Sequence, residues 1–542
     1  MKEFSLPTFI VLLIIFMAIM TYLARLGHRQ TKTESDYANA GGNMKFWVMA
    51  ASYVATFIST SAIVGFGGAG AVYGIGVSWL SFFHTFLGIF FAFTVMGNPI
   101  RRMCLNTGSK SLAELIGARY QSKFLTSLIG FMIFILMPAY TGICLIGGAR
   151  FMETSLHMNF IASIIILAVI ITLYVSYGGL KGLMYTDTFM CIIMSIGMLM
   201  LLIQTYIAIG GITAGHQYLT DMAHLVPKSL AAAGHNGWTA MPTFNSPVWW
   251  NVATTLVMGV GIGVLAQPQL VLRFLTVKDK QTMNRSIGVG GFALFSFTGV
   301  AFLIGPLTNI VFYRDYGKLA LEMAGGNSDS IIPVFINTVM PEWFVYIYML
   351  ILLAATISTV NSLIHVQSIA FASDMFAMFP SVKGRGSKKF VNWGLALGTL
   401  GAVVLAIVLP PMVIAKSTAF WYGMCAAGTL PAILGAILWR KATKKAALWS
   451  VCLGYGVSLF GYLFINTAIA KPIGLCRLLF GVDTIMPYPW PNIEPLFYGT
   501  IISALALIFI SLSDKPMDKE HIDKCFEGIR KEKKVAGKTA QA

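Results

Sequence analysis

The chain has 542 residues, 57% of them hydrophobic and only 11% charged, with a mean hydropathy of +0.75. That is too little polar surface for a soluble protein of this size, which leaves a polytopic membrane protein. The net charge of +17 invites a nucleic-acid reading, but the placement of the basic residues along the chain removes it.

Lipid offers backbone groups no hydrogen-bond partner, so each membrane span is expected to be a helix of roughly 20 apolar residues. Thirteen such stretches are read, at about 5–26, 46–76, 79–99, 124–149, 159–177, 187–211, 248–271, 286–313, 345–376, 391–410, 418–439, 446–470 and 494–513. The first has no small-residue cleavage site after it and reads as a retained helix. With the N-terminus outside, all but eight of the 38 Lys and Arg face the cytoplasm; the exceptions are Lys2, Arg150, Lys228, Arg314, Lys318, Lys416, Lys471 and Arg477. Positive charge collects on the inner side of membrane proteins, so the orientation is N-out and C-in. The basic tail, 514–542, reads as a cytoplasmic anchor near anionic lipid. The seven cysteines show no metal spacing, and no disulfide is expected.

Two spans interrupt the helical pattern. The second contains the run Gly65, Gly67, Gly68, Gly70, Gly74 and Gly76; the seventh contains Gly259, Gly261 and Gly263, followed by Gln267-Pro268-Gln269. They lie five spans apart and run in opposite directions, so spans 2–6 (46–211) and 7–11 (248–439) are expected to be two copies of one unit related by inversion. Helix 5–26 precedes them, helices within 446–513 follow, and the whole chain is one transporter domain. Glycines also allow close helix packing, which explains either stretch alone but explains the matched positions less well. Gly65-x-Gly67-x-x-Gly70 matches a dinucleotide fingerprint only literally, because it lies inside a span with no strand before it. The ninth span carries Ser358 and Thr359 in a long apolar run without an acid. Alone, such hydroxyls are better explained by back-bonds to the preceding turn or by helix packing.

Several motifs resemble one family. They are Ala55-Thr56-Phe57-Ile58-Ser59, Tyr177-Gly178-Gly179-Leu180 with Thr186-Asp187, Gln267-Pro268 with Arg273, and Ala355-x-x-Ser358-Thr359 with Asp374. With these, nearly the whole chain resembles the sodium:solute symporters, all-α membrane proteins of thirteen helices with a LeuT-like core. Ala118-Arg119-Tyr120-Gln121-Ser122, Ile146 to Arg150 with Glu153, and Ser358-Thr359-Val360-Asn361 are most similar to its sodium/pantothenate branch. The resemblance implies a sodium site made of the carbonyls of Ala55, Ile58 and Ala355 and the hydroxyls of Ser358 and Thr359. Spacing agrees, since Ala55 and Ile58, like Ala355 and Ser358, are three apart and share a helix face. The lack of a carboxylate there weakens a proton-coupled reading. Asp187 is implied as a stepping stone for sodium leaving inward, and is equally well a helix N-terminal acid. His84 and His365 read as packed or water-lining histidines.

The outer half of span two starts near Ser59 and aims its positive N-terminal end at the midplane, which suits a carboxylate. Thr56, Phe57, Ser59, Ser61, Tyr140 and Gln267 are the expected substrate contacts; related proline carriers also place a tyrosine where Tyr140 stands. Ser61, Ala62 and Gly263 stand where sugar carriers of the family have polar or aromatic groups, which counts against a sugar. The expected function is sodium-driven import of a small organic acid, pantothenate or another monocarboxylate, by alternating access across the cell membrane. Sodium is the coupling ion, and no organic cofactor or catalytic residue is expected. Proline, another amino acid or another small solute is the alternative, and a solute sensor a further one.

Overall fold

The computed structural model describes residues 6–529 apart from 33–35, 37–38, 380, 383–385 and 409–413, and the side chains of all of these except 6 and 176–178. The expected basic tail beyond 529 and the side chain of Tyr177 lie outside the described residues. Every regular element described is a helix. Those that span or frame the site are, in chain order, α1 (Pro7–Gln30), α2 (Phe46–Phe57), α3 (Ser61–Tyr73), α4 (Ile75–Thr107), α5 (Leu112–Arg119), α6 (Lys123–Leu156), α7 (Phe160–Val175) and α8 (Gly179–Ala208). The second half comprises α9 (Pro247–Ala266), α10 (Pro268–Phe274), α11 (Lys280–Tyr316), α12 (Ile331–Val339), α13 (Glu342–Asp374), α14 (Lys388–Val408), α15 (Ile414–Leu438), α16 (Lys444–Phe464), α17 (Leu496–Ser513) and α18 (Lys519–Phe526). Eleven of the described helices are long and apolar enough to cross a membrane, twelve if the bent pair α2 and α3 is one span, and α7 is shorter.

Burial sorts these helices into a centre and a rim. α13 and α15 have 83% and 89% of their apolar window buried inside the protein, whereas α1, α14 and α17 have only 22–28%. A lipid-facing helix needs no protein cover for its apolar side chains, so the poorly covered helices form the periphery. The central α13 packs along α8 and α6 and touches α2.

The bends lie beside Gly65 to Gly70 and Gly259 to Gly263, not within them, and Gly74 (φ 89°) ends α3. α2 ends at Phe57 because Ile58 leaves the helical region (φ −89°, ψ 109°), and α3 sets off at 55° to it. Gly65 to Gly70 are helical, and their lack of a side chain serves contact instead: a Cβ on Gly68 would lie 2.1 Å from the Ser328 carbonyl oxygen, and one on Gly305 of α11 only 2.0 Å from that of Gly67. In the seventh expected span, Gly259 to Gly263 are likewise helical, and the break falls at Gln267 (φ −73°, ψ 114°), which Pro268 forces out of the helical region. The long helix from Phe160 is interrupted at Gly179 (φ 59°), which separates α7 from α8.

The tight contact between α3 and α11 gives a direct prediction. Gly305→Val should cost at least about 1–3 kcal/mol from overpacking against backbone that cannot step aside. Gly288→Val on the same helix, where an added Cβ would meet nothing within 4 Å, should be silent. Thermal melting and gel-filtration profiles of the two variants check this, and equal behaviour would reject the packing account.

Candidate functional site

The end of α2 supplies the first component of the site. The last carbonyls of a helix have no amide one turn ahead to bond to, so those of Ala55, Thr56 and Ile58 are open to other partners. The face of α13 opposite supplies those partners. Ser358 Oγ donates to the Ala55 oxygen at 2.8 Å and to the Ala355 oxygen at 3.3 Å; Thr359 Oγ1 donates to the Ile58 oxygen at 3.2 Å and to the Thr56 oxygen at 3.3 Å. All of these residues are buried. The five residues expected to hold an ion, Ala55, Ile58, Ala355, Ser358 and Thr359, therefore place their oxygens in one nest across 300 residues of sequence. A hydroxyl can turn from donating to accepting, so the same five oxygens can all direct lone pairs at a small cation. Neutral oxygen ligands of this kind suit a hard cation.

One turn back along α2 lies a charged cluster. Arg273 of α10 and Asp187 of α8 pair at 3.2 Å, both fully buried. Arg273 Nε donates to Ser52 Oγ at 3.0 Å, while its Nη2 donates to Thr56 Oγ1 at 2.8 Å and to Ser362 Oγ at 2.7 Å. Ser52 Oγ in turn donates to Asp187 Oδ2 at 2.7 Å. Asp187 Oδ1 and Arg273 Nη1 have no hydrogen-bond partner among the described residues. Asp187 thus joins four helices through a buried ion pair, and a helix N-terminal acid is the wrong description of it. The cluster touches the cation nest through Thr56, whose carbonyl belongs to one and whose hydroxyl belongs to the other.

The expected substrate contacts divide into two groups. Ser59, Ser61, Tyr140 and Gln267 come together: Ser59 and Ser61 share a short hydroxyl–hydroxyl hydrogen bond, the Tyr140 hydroxyl lies 3.4 Å from Ser59 Oγ, and Gln267 lies at the second break. Thr56 and Phe57 face elsewhere. Thr56 spends its hydroxyl on Arg273 and Ser362, and Phe57 packs edge-on against His84 at 4.6 Å. The physical reason is helix rotation: Thr56 is one turn from Ser52 and shares its face, whereas Ser59 already lies in the break.

Sequence reasoning missed two residues of this region. Trp421 Nε1 donates to Gln267 Oε1 at 2.7 Å, and its ring lies parallel to that of Tyr140 at 6.3 Å. Tyr422 meets the Tyr140 ring edge-on at 5.6 Å. In an apolar span these rings look like ordinary core, and only the pairing with Gln267 distinguishes them. Ser362 was legible in principle, one turn after Ser358 on the same face, and Arg273 as a cation at membrane depth.

A cavity of 780 Å³ beside Arg150 is lined by none of these residues. Ile143 and Ile146, within two turns of Tyr140 on α6, line it, with Asp329 and Ser417. Asp329 accepts the Ile414 backbone N–H at 3.1 Å and so caps α15; burial pushes its carboxyl up to about 7, against the opposing effects of that hydrogen bond and of Arg150.

Comparison with known proteins agrees with this architecture. The model of the sodium:solute symporter family matches residues 37–454. The sodium/pantothenate symporter of Haemophilus influenzae is 26% identical over 83% of this chain and 88% of its own length. The sodium/proline symporter of Staphylococcus aureus is 24% identical over 93% of both chains, and the sodium/glucose cotransporter of Vibrio parahaemolyticus 23% identical over 94% of this chain and 91% of its own. Among solved structures, a Na+-coupled sialic acid symporter in a substrate-bound outward-open state superposes with a TM-score of 0.68, covering 94% of this chain and 98% of that one at 17% identity.

Proposed function

Because the chain belongs to the sodium:solute symporter family and is a multi-pass protein of the cell membrane, we propose that it imports a small organic acid with sodium by alternating access. The observation that carries this reading is the nest in which α2 and α13 place five neutral oxygens. Sodium bound there would tie the break between α2 and α3 to α13, so the ion's presence and the shape of the substrate pocket beside Ser59 would change together. Each sodium charge moving inward gains about 2.3 kcal/mol per 100 mV of membrane potential. Thirteen spans, N-out and C-in, with α2–α8 and α9–α15 as inverted repeats, complete the proposal; α7 then counts as a short fifth span.

The residues divide the work as follows. Ala55, Ile58, Ala355, Ser358 and Thr359 hold the ion. Ser59, Ser61, Tyr140 and Gln267 hold the substrate, with Trp421 as a wall, and the N-terminal end of α3 favours a carboxylate. Arg273 and Asp187 close the cytoplasmic side, with Asp187 taking over sodium as Arg273 releases it. Pantothenate or another monocarboxylate is the substrate class favoured, with support from the relative in Haemophilus influenzae. The Tyr140 hydroxyl beside Ser59 and the sodium/proline relative support a second reading, an amino acid.

Uptake into proteoliposomes of pantothenate, acetate, pyruvate, lactate and proline, with and without an inward sodium gradient, tests the proposal. One organic acid should accumulate only with the gradient. Sodium-independent uptake throughout would refute the coupling, and accumulation of proline alone would select the second reading.

A further inference from the structure

Glu494 lies just ahead of α17, 2% exposed. Its backbone N–H donates to Thr254 Oγ1 of α9 at 3.2 Å, and its carboxyl is met by the hydroxyls of Tyr462 on α16 and Thr255 on α9. Two glycines make room for it. A Cβ on Gly259 of α9 would come within 3.3 Å of its Cγ, and one on Gly423 of α15 within 3.3 Å of its Oε1. The carboxyl is therefore packed against the two helices that carry Gln267 and Trp421, behind the pocket and away from the cation nest.

The other groups around it provide no fixed counter-charge. α15 contributes Lys416, whose field acts on the carboxyl but which forms no ion pair with it among the described residues, and Cys425, which is close enough to influence Tyr462. α16 contributes Tyr462, α17 contributes Tyr498, and α9 offers only the hydroxyls of Thr254 and Thr255. A bare carboxylate buried among hydroxyls costs several kcal/mol, whereas the protonated acid is neutral, donates one hydrogen bond and accepts others.

We propose that Glu494 is a proton-binding site, and that its protonated carboxyl holds α17 against α9 and α15. Loss of the proton leaves a charge that has to draw in water or reach towards Lys416, and either movement separates α17 from the helices behind the pocket. Proton binding thereby supports the form that takes up sodium and substrate, without the proton occupying the sodium nest.

Infrared difference spectra of the full chain in proteoliposomes, stepped from about pH 6 to about pH 9, read the carboxyl directly and need no substrate. The wild type should lose a protonated-carboxyl stretch as pH rises, and that band should be missing in Glu494→Gln. Asp329 contributes a separate band that Glu494→Gln leaves in place. Tyr462→Phe removes a donor to the anion, so the Glu494 band should titrate about one pH unit higher. Over the same range, the sodium concentration giving half-maximal thermal stabilisation should rise at least about threefold in the wild type and stay constant in Glu494→Gln. A full band in Glu494→Gln, or an unmoved midpoint in Tyr462→Phe, would overturn the assignment. If Glu494→Gln does not fold, Tyr462→Phe decides alone. Failure of sodium-driven uptake would leave these spectra unaffected, so the two readings can fail separately.

Discussion

Ser358→Ala combined with Thr359→Ala should raise the sodium concentration for half-maximal uptake by roughly 10- to 100-fold, as expected for losing two oxygen ligands at about 0.7–1.4 kcal/mol each. The two hydroxyls are the only side-chain oxygens among the five ligands, so their loss leaves three carbonyls and an incomplete shell. The change also leaves the carbonyls of Ala55 and Ile58 without their present donors. Some loss of melting temperature in the absence of sodium should therefore accompany the kinetic effect. The two consequences separate by titration: saturating sodium should restore the maximal rate if the site is merely weakened. An unchanged sodium dependence in a folded double variant would reject the assignment of the nest.

The largest expected effect on stability belongs to the buried ion pair. Arg273→Met should destabilise the protein by about 3–5 kcal/mol, because it leaves Asp187 as an unpaired charge in a place without water. Replacing both partners, Arg273→Met with Asp187→Leu, removes the charge altogether and should recover a large part of that loss. The comparison is a double-mutant cycle, read from thermal melting in detergent. If the two single losses simply add, the pair is not the organising contact of the cluster. The double variant should nonetheless fail to couple uptake to sodium, since it lacks the carboxylate proposed for ion release.

How much of this was readable follows from particular residues. The membrane class and the places of the helices came from apolar runs, which lipid requires whatever the tertiary structure. The residues of the nest were legible through the resemblance to the sodium:solute symporters, and helix spacing agreed with it, since Ala355 and Ser358 share a face of α13. Thr56 and Phe57 stand apart from Ser59 and Ser61 for a related reason. A helix that stops at residue 57 presents successive residues about 100° apart, and only one of those directions faces the pocket. Trp421 could not be found from local pattern, because its significance depends on Gln267, which follows a break 154 residues earlier in the chain. The bends at Ile58 and Gln267 were legible too, in the outer half of span two starting near Ser59 and in the Gln267-Pro268 pair, whereas the glycines beside them that were read as interruptions, Gly65 to Gly70 and Gly259 to Gly263, are helical. Glycine marks where backbones touch, and in α3 and α9 that contact happens to lie near the bend without causing it.

The missing side chains at Gly67 and Gly305 have a mechanical consequence. At these two glycines one backbone rests directly on the other, and beside them Phe66 of α3 packs against Phe302 of α11 with ring centroids 5.5 Å apart, so the two helices resist sliding past one another. Moving together, α3 and α11 would act as a single lever hinged at the short link from Ile58 to Thr60. The hinge of that lever adjoins the stretch of backbone whose carbonyls face Ser358 and Thr359, so an ion seated there would set the hinge angle, and a small change of angle is amplified at the far end of α3.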